Sequence, residues 1–375
     1  MLNRGAKEVT GKYRVTFRYP PAKELFIDSG LRDVGGAPVQ IFTLATELAK
    51  DPDYDVCLWV DGRAPKGRIL GVRLLSGWSD ANRIDIFSRL LNKVRFVRSA
   101  RIAAKGLTVF TVQTDADLER LRDAVARRGG KTAYRVASDL VFEAPGPGSV
   151  VADSFAASIR ACDVILAQTK TQQALLAEYF GVLSKVVHSA FQVKEPTANM
   201  KPKEHVLWVG QCLSYKRPWI VVEVARALPE IPFVMIMPLV DNDLAKALLD
   251  QLMPLQNVSF IDYVPYAEVQ SYYDIARIVL NTSLFEGYPN TLNQTAQARS
   301  VYISLKWNAD DVLGADGMGF CCENDVSRFI AMIEQVYHDT VLQDKIGERA
   351  FQMLKKNNAL EAVVREYQSL IRELL

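Results

Sequence analysis

Leu284-Phe285-Glu286-Gly287-Tyr288-Pro289-Asn290-Thr291-Leu292-Asn293-Gln294 is the stretch from which the rest of the chain can be read. A strand-like run, Ala276 to Asn281, precedes it, and a helix-like run, Leu292 to Arg299, follows. Gly287 permits backbone angles closed to other residues, and Pro289-Asn290 makes a turn at the point where a helix starts. The pattern predicts a strand, a sharp loop and a helix N-terminus, with the Glu286 carboxylate beside free backbone N–H groups. Such a place can hold phosphate and a hydroxylated group together. Glu286 and Asn290 as mere turn and cap residues satisfy the same pattern.

Outward from this stretch, strands alternate with helices in both directions. Ahead of it lie strands at His205–Gly210, Phe233–Met237 and Val258–Ile261, with helices at about Trp219–Leu228, Asp243–Met253 and Tyr266–Ile275. Beyond it come a strand at Val301–Leu305 and closing helices at about Val326–His338, Thr340–Lys355 and Ala359–Leu375. The first half reads alike. Its strands are Tyr13–Arg18, Tyr54–Val60, Leu107–Val112, Thr132–Ala137, Asp163–Gln168 and Ser184–Ser189. Its helices are Val39–Lys50, one or two within Arg83–Lys105, then Asp117–Arg128, Val151–Ala161 and Thr169–Phe180. Strands alternating with helices imply parallel sheets covered on both faces. Phe191 to Pro202 lacks periodicity and carries Pro196 and Pro202, which marks a domain boundary.

Composition narrows the class. The 375 residues are 49% hydrophobic and 23% charged, which suits a soluble protein of two domains. A net charge of +2 gives no field for nucleic acid. Met1 to Lys12 is polar and has no apolar core of a signal peptide, so the expected compartment is the cytoplasm. Cys57, Cys162, Cys212, Cys321 and Cys322 form no C-x-x-C and read as free thiols. The three histidines, His188, His205 and His338, share no ligand spacing with them, and no metal is expected. Asp115-Ala116-Asp117 has the spacing of a metal motif but reads as a helix start. The basic, partly apolar segment Arg83–Lys105 is either a solvated face or a peripheral contact with anionic membrane. Asp139, just past the strand Thr132–Ala137, either faces a ligand or caps the next segment.

The order of parts resembles the retaining group 1 glycosyltransferases of family 4. The resemblance rests on Val206–Gly210 with Lys216-Arg217-Pro218 after it, on Asn257–Phe260 with Val264 following, and above all on Glu286 to Leu292. Gly35-Gly36 and Gln168-Thr169 are similar to the first half of that family. It implies an α/β fold of GT-B type, with two Rossmann-like doubly wound parallel-sheet domains facing across a cleft. The domains would be residues 1–192 (acceptor side), 203–358 (donor side) and a last helix, 359–375, packing back toward the first.

The resemblance also implies transfer of a hexose, with retention, from a nucleotide diphosphate sugar to a hydroxyl acceptor, a lipid-linked one included. Glu286, Lys216 and Asp139 would be catalytic. Lys216 would meet the diphosphate and Glu286 the sugar hydroxyls. Gly35, Gly36, Gly210, Gln211, Arg217, Val264, Gly287, Tyr288, Pro289, Asn290, Thr291, Leu292 and Gln294 would bind the donor. Neither cofactor nor metal is implied.

Several positions depart from the family. Gln211 stands where Arg is usual, Gln294 where a second Glu is usual, Met237-Pro238 where glycine is usual, and Ser300-Val301-Tyr302 in place of Gly-x-Pro. Gln294 can still bond ribose hydroxyls, or close a capping box with Thr291. The loss of Arg at 211 removes a fixed charge, which Arg217 could replace. The rival readings are a nucleotide-sugar-binding protein with weakened turnover and a nucleotide-sugar epimerase. A dehydrogenase is disfavoured because no G-x-G-x-x-G follows either first strand.

Overall fold

In the computed structural model, residues 12–27, 35–77, 86–111, 115–142, 150–195, 202–238 and 243–375 are described. The chain divides into two compact units. The first includes Gly36–Ala190 and Leu360–Leu375, and the second Phe191–Ala359.

The first unit holds β1 (Tyr13–Arg18), α1 (Lys23–Ile27), α2 (Gly36–Leu48), β2 (Tyr54–Val60), β3 (Arg68–Ile69), β4 (Val72–Ser76) and α3 (Ile86–Ala103). It continues with β5 (Leu107–Phe110), α4 (Asp115–Ala126), β6 (Lys131–Arg135), α5 (Val150–Arg160), β7 (Val164–Ala167), α6 (Lys170–Phe180) and β8 (Lys185–Val186). The sheet order is β3-β4-β2-β1-β5-β6-β7-β8, parallel except for the β3–β4 hairpin. The two-residue period of a strand sorts the core. Val56, Leu58 and Val60 of β2 face one cluster, while Cys57 and Trp59 face the other, which α3 to α6 cover. The burial of Cys57 pushes its thiol up to about 12, so it behaves as a core residue.

The second unit holds β9 (His205–Val209), α7 (Trp219–Ala227), β10 (Phe233–Ile236), α8 (Asp243–Leu252), β11 (Val258–Ile261), α9 (Tyr266–Asp274) and β12 (Ala276–Asn281). After these come α10 (Asn290–Gln297), β13 (Val301–Ser304), β14 (Gly319–Cys321), α11 (Val326–His338) and α12 (Thr340–Asn357). Its six strands are all parallel, in the order β11-β10-β9-β12-β13-β14. The last helix, α13 (Leu360–Leu374), buries its apolar stripe in the core of the first unit.

Three strands have no counterpart in the sequence reading: β3, β4 and β14. β3 and β14 are too short for a period to show, and Arg73 interrupts the apolar run of β4. The first unit closes at Ala190, short of the expected 192, because Phe191 already pairs with Ala359 and its N–H donates to Asn358 O at 2.8 Å. Arg83 lies outside the described residues. The expected helix or helices at Arg83–Lys105 are represented by the single helix α3.

Candidate functional site

In the second unit β9 and β12 are neighbours, yet the chain leaves them toward opposite sides of the sheet. Loops at the carboxyl ends of two such strands diverge and leave room for a ligand. The β9 loop carries Lys216, and the β12 loop carries Glu286.

The β9 loop is held rather than loose. Gly210 ends the strand against the Trp208 ring, where a Cβ would stand 2.8 Å from the indole. The turn Ser214–Lys216 ends at Arg217 in the left-handed region, φ 49°. The Arg217 guanidinium donates from Nε to Thr282 O at 2.6 Å and from Nη1 to Asn324 Oδ1 at 2.7 Å. Thr282 Oγ1 donates to Lys216 O at 2.5 Å and accepts from Trp208 Nε1 at 3.0 Å. Leu284 N donates to Tyr215 O at 2.8 Å. Both loops therefore move as one body, and Lys216 keeps its place relative to Glu286.

Lys216 Nζ lies 2.6 Å from Glu286 Oε1. The same oxygen accepts from Ser283 Oγ at 2.7 Å and from Asn281 Nδ2 at 3.3 Å. Among the described residues, every hydrogen bond to this carboxylate falls on Oε1. Oε2 remains available to a further donor. The two side chains are 19% and 14% exposed, enough to reach a ligand and little enough for the charges to be weakly screened. Behind them stands Tyr302, whose hydroxyl meets Thr291 Oγ1 at 3.3 Å. Burial first, and then the charge of Glu286, pushes the Tyr302 phenol well above its ordinary range, so it stays neutral.

The helix that follows begins earlier than the sequence suggests, at Asn290, with Pro289 at the cap position and no side chain capping it. This corrects the capping-box reading. Thr291 is already inside α10, its hydroxyl turned to Tyr302, and Gln294 is a buried helix residue. An end without a side-chain cap keeps its partial positive charge for a ligand. Gly287 is buried and is not among the left-handed positions of the chain, which corrects the expectation of special backbone angles there. Tyr288 packs edge-on to Trp307 with ring centroids 6.0 Å apart and donates to Asn358 Oδ1 at 3.2 Å. Leu292 is fully buried in the core shared by α9, α10 and α12. Val264 packs against that core from the loop before α9.

The structure thus joins Lys216 and Glu286 directly, ties Arg217 to Thr282 beside them, and places Gly210, Gln211 and Asn290 on the same two strand-end segments. Arg217 is committed to Thr282 and Asn324, which differs from a role as replacement for the missing Arg. Asp139 belongs to the first unit, where it accepts from Gln172 Nε2 at 2.8 Å. Gly35 and Gly36 stand at the start of α2. The departures at Ser300 and Tyr302 have structural work. Ser300 Oγ donates to Ala276 O at 2.7 Å, and Tyr302 supports Thr291. Met237, in place of glycine, is a buried core residue.

Sequence reasoning passed over Asn281, Thr282, Ser283, Tyr302 and Asn324. The signal for the first three was the polar triplet Asn-Thr-Ser closing an otherwise apolar strand. Among the described residues no group of three or more His, Cys, Asp or Glu converges as metal ligands would.

Residues 191–353 match the family model described as "Glycosyl transferases group 1". A comparison with curated protein sequences gave no significant match. Solved structures similar to the chain include a sucrose-phosphate synthase from Thermosynechococcus elongatus, at 14% identity and TM-score 0.76, covering 96% of this chain and 99% of that one. Another is HepE of Anabaena in complex with UDP and glucose, at 14% identity and TM-score 0.72, covering 96% and 100%. A third, from E. coli, titled as trehalose-6-phosphate bound with UDP-2-fluoro glucose, has 10% identity and TM-score 0.66, covering 96% and 99%. The chain therefore has the α/β fold of GT-B glycosyltransferase structures, two parallel-sheet domains, and the unit that carries Lys216 and Glu286 is the one that matches the group 1 glycosyltransferases.

Proposed function

We propose that the protein transfers a hexose from a nucleotide diphosphate sugar to a hydroxyl acceptor, with retention and without a metal. The observation that carries this is the Glu286 carboxylate, with Oε1 saturated by Lys216, Ser283 and Asn281 and Oε2 left open. An oriented open carboxylate oxygen accepts from a sugar hydroxyl. The Lys216 ammonium has three N–H bonds, and only one goes to Glu286, so the others can meet a diphosphate oxygen. The start of α10 adds partial positive charge where the leaving diphosphate becomes more negative. Two of the similar structures are titled as containing UDP with glucose or UDP-2-fluoro glucose, which makes UDP-hexoses the first donors to try.

A second reading is favoured by one observation. Gln211 replaces a fixed cation, and Arg217 already donates from Nε to Thr282 O and from Nη1 to Asn324. A protein that binds nucleotide sugar and turns over slowly fits this arrangement.

The test is a thermal-shift screen of nucleotide sugars, since a ligand of the folded state raises apparent stability. One UDP-hexose should stand out, and Glu286→Ala should abolish the preference among sugars while keeping the shift given by UDP. If the variant ranks donors as the parent does, the assignment of Glu286 fails. Consumption of the chosen donor separates the two readings. Turnover that appears only in Gln211→Arg supports the reading of a binding protein with slow turnover.

A further inference from the structure

A second concave site lies wholly in the first unit, away from any residue used above. The β3–β4 hairpin, the loop after β2 and one face of α3 enclose a pocket of about 600 Å³. Six cationic side chains line it, Arg63, Lys66, Arg68, Arg73, Arg95 and Arg98, and among the described residues no acidic one does. Arg68 is neutralised by Asp55, which also pairs with Arg14. The other five make no ion pair with any described residue. Like charges gathered around one concavity repel one another, and the arrangement is stabilised when an anion enters.

The neighbouring surface is apolar. On α3, Leu90 and Val94 are each 58% exposed and Leu91 is 38% exposed. Helical spacing puts Leu91 on the same stripe as Arg95 and Arg98, at i, i+4 and i+7, with Leu90 and Val94 one position round. The hairpin turn adds Leu70, 63% exposed. An isolated phosphate or a soluble polyanion would use the cations and leave these side chains in water. A bilayer surface uses both, because headgroup phosphates meet the arginines while the apolar side chains enter the interface.

We propose that this face of the first unit docks on an anionic phospholipid surface, with a headgroup phosphate held in the pocket by Arg63, Lys66, Arg73, Arg95 and Arg98. The apolar anchors are Leu90, Leu91 and Val94. The overall charge of +2 is too small to drive such binding unaided, so attraction is local and sensitive to salt.

The full chain is sedimented with vesicles of phosphatidylcholine alone and with vesicles containing phosphatidylglycerol. Binding is expected only to the second kind, decreasing as salt is raised. Arg95→Gln with Arg98→Gln should weaken it by about tenfold or more. Arg63→Gln with Lys66→Gln, on an exposed loop, should weaken it as well and keeps the test open if the first variant misfolds. Leu90→Ser with Val94→Ser should weaken vesicle binding and leave the affinity for inorganic phosphate unchanged. Equal binding to both vesicle types, or binding indifferent to the arginines, overturns the proposal. So does an oligonucleotide that displaces the vesicles while the Leu90→Ser, Val94→Ser variant still binds them like the parent, which would make the pocket a general polyanion site. Vesicle binding is measured without donor, so its failure leaves the transferase reading intact.

Discussion

At Glu286 one carboxylate oxygen is crowded with donors and the other is open. That asymmetry comes from two residues at the end of β12, Asn281 and Ser283, and one residue of the β9 loop, Lys216. Lys216→Met removes the cation and leaves a partly buried carboxylate with neutral donors alone. A loss of about 2 kcal/mol in stability is expected, in line with a lost hydrogen bond to a charged group. Adding Glu286→Gln should return most of it, since the uncompensated charge is then gone. Activity should not return. Turnover in both variants should stay lower by about 10²–10³, the scale of losing one preorganised group that stabilises developing charge. Urea unfolding and donor-consumption rates on the three proteins check this. If the double variant is no more stable than Lys216→Met, the two side chains are not coupled as the geometry says.

At the scale of elements, the position of α10 decides where its N-terminus points. Gly347 on α12 lets the end of α10 approach closely, for a Cβ there would stand 2.2 Å from Arg299 O. Gly347→Ala should cost about 1–3 kcal/mol through overpacking and lower Tm by several degrees, and donor affinity should fall with it because α10 must shift. The turn beyond α10 is tied from another side. Lys203 Nζ donates to Ala298 O at 2.5 Å and to Ser300 Oγ at 2.6 Å. Burial of that ammonium lowers its pKa from 10.5 to about 8. Between those values the unfolded chain holds more protons at this residue than the folded one, so its contribution to stability rises with pH from about 8 to 10.5. Lys203→Met should lack that rise, by about 3 kcal/mol at most. Chemical denaturation of both proteins across this range reads the difference, and parallel curves would contradict the burial of the amine.

At the scale of the molecule, α13 completes a core that the chain left at Ala190. Leu360, Val363, Val364, Tyr367, Leu370 and Ile371 are all buried in the first unit. At about 1.5–3 kcal/mol for each large apolar side chain, their removal costs roughly 10 kcal/mol, comparable with the stability of a whole domain. A chain ending at Ala359 should lose hydrogen-exchange protection in β1, β2 and β5 to β7 while β9 to β13 keep theirs. Equal protection in both units would show that the helix is dispensable.

Most of the alternation of strand and helix was legible, because parallel strands buried on both faces read as short apolar runs and the helices carry an apolar stripe. So was the order of strand, loop and helix that sets Lys216 after β9 and Glu286 between β12 and α10. The β3–β4 hairpin was not, for Arg68-Ile69 is too short to show a period and Val72–Ser76 is interrupted by Arg73. With it went the pocket that the hairpin encloses. The capping box was misread because Thr291-x-x-Gln294 matches a local rule whose outcome depends on where the helix starts. With Pro289 at the cap position the helix starts two residues earlier than that rule requires, and Tyr302 on the adjacent strand meets the threonine hydroxyl.

The sequence by itself determined the class of fold, the break near Phe191, and the strand-loop-helix that carries Glu286, since each follows from local pattern and backbone chemistry. The tertiary structure alone decided which oxygen of Glu286 is free, that Arg217 is a clamp, and that five cations with no ion pair to a described residue gather around one pocket. Those facts depend on side chains distant in the chain meeting at fixed distances, and neither periodicity nor spacing in the sequence carries that information. The last helix shows the division plainly. Its stripe announces that one face must be buried, and only the packing of the folded molecule names the core that receives it.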